Sequence, residues 1–137
     1  MSPLFSYFLL YVAAFATCTT LDLTWLTMIA KSFYTKNLGY LMAPSPNLWA
    51  ALLFYVLFIA GILIFVVLPA LKEDSFLQVA LKGFFFGLIV YSAYDLTNHA
   101  TVKDWPAIVT VVDMFWGATV SCIVSSVSFL LARALII

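Results

Sequence analysis

Charge is what this sequence has least of. Six basic and six acidic side chains make up 9% of 137 residues and cancel to a formal net charge of zero. A soluble domain carries about 25% charge, so a soluble globular fold is excluded. With no basic excess there is no field to hold nucleic acid either. Two cysteines and one histidine fit no metal-ligand spacing, and neither a metal nor any other cofactor is expected. Cys18 and Cys122 fall inside apolar runs and read as small packing residues, not as a disulfide. No nucleophile, metal cluster or cofactor fingerprint marks an enzyme. Acid–base work by carboxylates is the one enzymatic route left open, and an enzyme is the least expected reading.

What the sequence does have is apolar length: 66% of its residues are hydrophobic and the mean hydropathy is +1.14. A membrane-crossing helix needs about 20 apolar residues. Four stretches qualify, near Leu4–Ile29, Asn47–Leu71, Phe76–His99 and Ala107–Ala132. They use most of the chain, so residues 1–137 form one domain. Ala60–Leu68 and Phe84–Val90 are apolar all round, whereas barrel strands alternate apolar with polar. The expected fold is an all-α membrane protein, an up-down bundle of four transmembrane helices. Ala14-Phe15-Ala16 resembles a signal-peptide cleavage site, but no Lys or Arg precedes it and the apolar run continues beyond. An uncleaved first span is expected.

The connections are unequal. Leu71-Lys72-Glu73-Asp74-Ser75 reads as a tight polar turn, with Asp74 or Ser75 capping the third helix. Pro106 suits the first position of the fourth. The first connection is longer, Ala30 to Pro46, with Phe33, Tyr34, Leu38, Leu41 and Met42 at helical spacing and Lys31 and Lys36 between them. It predicts an extension of span one and then a short interfacial segment, an amphipathic connector in the first place, with a functional lid as the alternative. Gly39 is positioned to supply a left-handed stop.

Three aspartates, Asp22, Asp95 and Asp113, lie inside spans. A charge near mid-bilayer costs at least ~2.5–3.5 kcal/mol, so something must offset it. In an up-down bundle the end of span one, the end of span three and the start of span four face one side. At 1.5 Å per residue all three carboxyls sit roughly 6–11 Å inside that interface. Helix faces sharpen the point. Gly87, Tyr91, Ser92, Asp95, Asn98 and His99 form one polar stripe on span three. Thr110, Asp113, Trp116 and Gly117 share a face of span four, continued by Ser121, Ser125 and Ser128, and Cys18, Asp22, Trp25 and Ile29 align on span one. Polar faces turn away from lipid. The residues expected to bind a ligand or ion are Asp22, Trp25, Tyr91, Asp95, Asn98, Asp113 and Trp116, with Tyr55 as a hydroxyl donor from span two. Three enclosed carboxylates repel one another, so a shared proton or a bound cation is expected among them.

All four tryptophans belong to the same half as the aspartates. Trp49 and Trp105 read as interfacial belt residues; Trp25 and Trp116, one helical step from Asp22 and Asp113, read as cavity wall. The tripeptide Asp22-Leu23-Thr24 returns as Asp95-Leu96-Thr97 at a matching depth, which suggests two helix hairpins related by a parallel duplication.

At Asp22-Leu23-Thr24-Trp25-Leu26, Leu38-Gly39 with Met42-Ala43-Pro44, Tyr94-Asp95-Leu96-Thr97-Asn98, Trp105-Pro106 and Asp113-Met114-Phe115-Trp116-Gly117, the chain resembles a bacterial family of small integral membrane proteins, the domain-of-unknown-function family 2177. The resemblance runs over nearly the whole chain. His99 stands where that family has an apolar or aromatic residue and is not carried over as a site residue. The resemblance implies the span count and the residue set, and it implies no activity.

Three functions stay open. The first is a proton- or cation-linked carrier or channel subunit; four short spans enclose little pathway alone, which favours a homodimer. The second is a membrane-embedded binding or sensing module for an amphiphilic ligand. The third is a lipid-modifying enzyme or its partner. Membrane lipid is a partner on each. The expected location is the bacterial inner membrane. Lys72, Lys82 and Arg133 lie on the amino-terminal side against Lys31, Lys36 and Lys103 on the aspartate side, and with the α-amino group they favour cytoplasmic termini slightly.

Overall fold

The computed structural model describes residues 2–135. Four helices in it are long and apolar enough to cross a membrane: Pro3–Ile29, Leu48–Glu73, Phe76–Thr101 and Ala107–Ala134. A short helix, Lys31–Leu38, lies between the first two, and no strand is present among the described residues. The spans run a few residues past their apolar cores at Glu73, Thr101 and Ala134, because polar residues at those ends reach headgroup water.

Local chemistry sets the helix starts. The Ser2 side chain accepts from the Phe5 N–H, with Pro3 in the first turn. Asn47 accepts from Ala50 at 3.1 Å and Ser75 from Gln78 at 3.3 Å. The tight turn before span three is closed by Asp74 in the left-handed region, φ 47°. Pro106 sits one residue ahead of its expected place, capping the fourth helix, which opens at Ala107. Gly39 has φ −53°, so it continues the helical path instead of stopping it by a left-handed turn; the chain leaves the helix through Leu41, whose N–H bonds Leu38.

Two spans contain a widened, π-helical turn. In span two it covers Leu63–Val67, just ahead of Pro69, which has no N–H to give back to the preceding turn. In span one it covers Trp25–Ile29, closed by the Ala30 N–H on the Trp25 carbonyl at 2.7 Å. The extra residue in that turn rotates the helix face. Ile29, expected in line with Asp22, is therefore exposed. At Ala30, with φ −108° and ψ 6°, the chain bends, so the short helix is a separate element and no straight extension of span one.

Spans three and four form the most intimate pair. Their backbones approach through Gly83 and Gly87 on one side and Gly117, Ser121 and Ser125 on the other: a Cβ on Gly87 would strike the Gly117 carbonyl. Small residues allow this where lipid supplies no hydrophobic drive between helices. Span one lies against spans four and two, and Tyr11 donates to the Val56 carbonyl of span two at 2.9 Å. The core runs from Leu10, Ala14 and Cys18 through Ile59, Ile62 and Val66 to Val120, Val124 and Phe129. Cys18 and Cys122 are free thiols.

Candidate functional site

The end of the bundle opposite the chain termini collects the aspartates. Asp22 is buried on span one and accepts two hydrogen bonds, from the Tyr55 hydroxyl of span two and from Trp116 Nε1 of span four at 2.9 Å. Two donors from two other helices hold this carboxylate in place, which is how a buried charge is tolerated. Asp113 of span four accepts from the Tyr34 hydroxyl at 2.6 Å, and Tyr34 in turn accepts from Trp25 Nε1 at 3.1 Å. Trp25 and Trp116 stack, their centroids 4.4 Å apart and their planes 5° from parallel. The result is one network from three spans and the linker: Tyr55 and Trp116 on Asp22, Trp116 on Trp25, Trp25 through Tyr34 to Asp113.

Asp95 is the exception. It is 0% exposed, and neither of its oxygens meets a donor. Its acidic neighbour is the Asp113 carboxyl, which when ionised is an acceptor as well. Two carboxylates in that relation cannot form a hydrogen bond without a proton between them. The tripeptide repeat of Asp22 and Asp95 therefore ends in unlike surroundings: one carboxylate doubly satisfied, the other orphaned.

A cavity of about 330 Å³ opens beside this network, walled by Asp22, Leu26, Phe54, Tyr91, Asp113 and Trp116, with Val90 and Tyr94. Tyr91 reaches it because Gly117 leaves room: a Cβ there would enter the Tyr91 ring. No basic side chain lines it. The two ion pairs among the described residues, Lys82–Glu73 at 3.6 Å and Arg133–Asp74 at 3.3 Å, are at the other end of the bundle.

Of the expected site residues, Asp22, Tyr91, Asp113 and Trp116 line the cavity. Trp25 backs it through the stack, and Asp95 stands behind Asp113. Asn98 does not take part: it is half-buried beside Tyr94 and outside the lining. Trp105, expected in the interfacial belt, is 8% exposed and donates to Thr110 Oγ1 at 3.0 Å; its indole N–H is satisfied inside the protein. Trp49, 82% exposed, does sit on the outside. Tyr34 is the residue that spacing did not single out. Its signal was a hydroxyl on the apolar face of an interfacial helix, a group that seeks a partner when buried. The linker is also tied down by Tyr40, which donates to the Asp104 carbonyl at 2.8 Å, so it is a strap over the site and more than a connector.

No curated protein and no solved structure matches the chain. A family profile does, over residues 7–130, described as a predicted membrane protein. The chain belongs to that family, the domain-of-unknown-function family 2177.

Proposed function

We propose that this protein is a proton- or cation-linked carrier or channel subunit and that Asp95 and Asp113 are its exchange site. The observation that carries the reading is the orphaned Asp95 carboxyl beside Asp113. Neighbouring like charges in a low-dielectric site do not both stay ionised cheaply; a proton or a cation supplies the missing partner. Asp22 has no such vacancy, because Tyr55 and Trp116 fill it, and it serves to position the cavity wall. Intramembrane carboxylates that line a cavity mark ion and proton paths. On this reading the protein sits in the bacterial inner membrane with its termini in the cytoplasm, and a homodimer completes the pathway.

The apolar and aromatic cavity wall, Leu26, Phe54, Val90 and Trp116, supports a second reading, a binding or sensing module for an amphiphilic ligand, or a membrane partner of a lipid-modifying enzyme. Reconstituted vesicles loaded with a pH-sensitive dye separate the two. A carrier or channel subunit moves protons across the membrane, and Asp95→Asn abolishes the movement. A sensing module takes up protons when ligand binds and moves none across. Carboxyl infrared absorption against pH tests both: if all three aspartates are ionised down to about pH 4 with no cation bound, against the ~3.9 of a free aspartate, the exchange site does not exist.

A further inference from the structure

The cavity of about 330 Å³ is walled by two carboxylates, Asp22 and Asp113, by four aromatic rings, Phe54, Tyr91, Tyr94 and Trp116, and by two aliphatic side chains. Its size is that of a small-molecule site. The carboxylates are held by neutral donors: the phenols of Tyr55 and Tyr34 and the indole of Trp116. Lys31 lines a neighbouring cavity that shares Asp113, and no ion pair joins the two residues. The negative charge of the wall is therefore fixed in place and left without a counter-charge. The rings are fixed as well. Trp116 stacks on Trp25, and Phe54 stacks on Phe58 at 5.3 Å and 15° from parallel. Neither Trp116 nor Phe54 has a second stacked partner among the described residues. Phe54 and Tyr94 are also 40% and 57% exposed, so rings of spans two and three stand at the rim.

We propose that this cavity binds a lipophilic organic cation without N–H donors, of the quaternary ammonium or phosphonium type. The proposal names the cargo of the carrier reading and rests on that reading for transport, whereas binding needs the cavity alone. An anion meets two carboxylates, and a neutral guest leaves their charge uncompensated. Among cations the hydrogen-bond positions decide. Both oxygens of Asp22 and one of Asp113 already hold a donor. An ammonium with N–H groups competes for them with Tyr55, Trp116 and Tyr34. No three carboxylate, thiol or imidazole groups among the described residues gather closely enough to ligate a metal ion. A cation without donors needs neither arrangement. It draws on the carboxylate charge through space and on the aromatic rings through their quadrupoles. Its apolar substituents meet the ring and aliphatic wall, which offsets part of the cost of leaving water.

The test is equilibrium binding of radiolabelled tetraphenylphosphonium to the purified full chain, with tetraphenylborate as an anion of the same shape. After partition into empty micelles is subtracted, the wild type is expected to bind the cation at least about tenfold more tightly than the anion. Phe54→Leu keeps an apolar side chain without a ring and is expected to weaken cation binding about tenfold, within reach of one desolvated ring contact. Asp22→Asn is expected to weaken it by about as much. Phe65→Leu, on the same span but outside the cavity wall, leaves it unchanged. Tetraethylammonium is expected to displace the label better than butylammonium. Equal binding of phosphonium and borate by the wild type overturns the proposal, as does equal loss on Phe54→Leu and Phe65→Leu. Displacement by butylammonium as effective as by tetraethylammonium overturns the choice of a donor-free cation. Cation binding without proton movement in the dye-loaded vesicles removes the carrier reading and leaves the cation site. Proton movement without cation binding removes the cation site and leaves the exchange site.

Discussion

The indole rings of Trp25 and Trp116 stack 4.4 Å apart and 5° from parallel, and each sends its N–H to a different carboxylate system. Trp116 donates to Asp22; Trp25 donates to Tyr34, which donates to Asp113. The stack therefore couples two carboxylates on two helices without a direct contact between them. Aromatic pairs of this kind add about 0.5–1.5 kcal/mol beyond their buried area. The π-helical turn that begins at Trp25 sets the ring at this angle, in keeping with the frequent placement of such turns at functional sites.

Tyr34→Phe removes the hydroxyl that links the linker to the bundle. It strips Asp113 of a donor and Trp25 of an acceptor, and the expected cost is about 1–3 kcal/mol. The linker is expected to exchange amide hydrogens faster while the four spans hold. The phenol is pushed above its ordinary value, first by burial and then by its hydrogen bond to Asp113. A raised folded-state value makes a contribution that is complete below the unfolded value of ~10 and lost as pH rises beyond it. Proteolysis of the linker in the wild type should therefore accelerate above about pH 10, and in Tyr34→Phe it should be fast already at neutral pH.

Asp22 and Asp95 respond differently to the same change. Asp22→Asn puts an NH2 group in front of one of two donors, Tyr55 or Trp116, and is expected to cost about 1–3 kcal/mol in detergent unfolding. Asp95 has no donor to lose, so Asp95→Asn should stay within about 1 kcal/mol of wild type or gain stability, because its amide brings the N–H donor that the two carboxyls lack. Equal destabilisation by the two changes would contradict the assignment of a structural role to one and an exchange role to the other.

Glycine sets the distance between spans three and four. Gly117→Ala drives a methyl into the Tyr91 ring and Gly87→Ala drives one into the Gly117 backbone. Overpacking of this kind costs about 1–3 kcal/mol or more, read as a lower melting temperature in detergent. At Gly61 the added methyl meets only the tip of the Phe86 ring, 2.8 Å from Cζ, a side chain able to swing. Ala is also the better helix former by about 1 kcal/mol, so Gly61→Ala should be close to neutral.

Topology is checked with single cysteines in a background carrying Cys18→Ala and Cys122→Ala. Impermeant reagent should reach Lys36→Cys and Lys103→Cys from one side of the membrane and Glu73→Cys from the other. Labelling of Lys36→Cys and Glu73→Cys from the same side would remove one span from the count.

Four spans, their alternation and the shared depth of three aspartates were legible in the sequence because the bilayer imposes them: length fixes the span, and 1.5 Å per residue fixes the depth. The stripe of Gly87, Tyr91 and Asp95 was legible for the same reason, since a polar face in lipid has one direction to turn. Which carboxylate is satisfied was not legible. Asp22 and Asp95 sit in the same tripeptide, and only the neighbours that the bundle delivers, Tyr55 and Trp116 to one and Asp113 to the other, make them unlike. Trp105 was misplaced because an indole near a span end reads as interfacial until a partner such as Thr110 comes into reach. Ile29 fell out of line because an extra residue in one helical turn is invisible to a 3.6-residue period. Tyr34 joined the site because the bend at Ala30 folds the linker back over the bundle. Hydrophobic length and helical period act along the chain and can be read there; hydrogen-bond partnership acts between helices and exists only once they have packed.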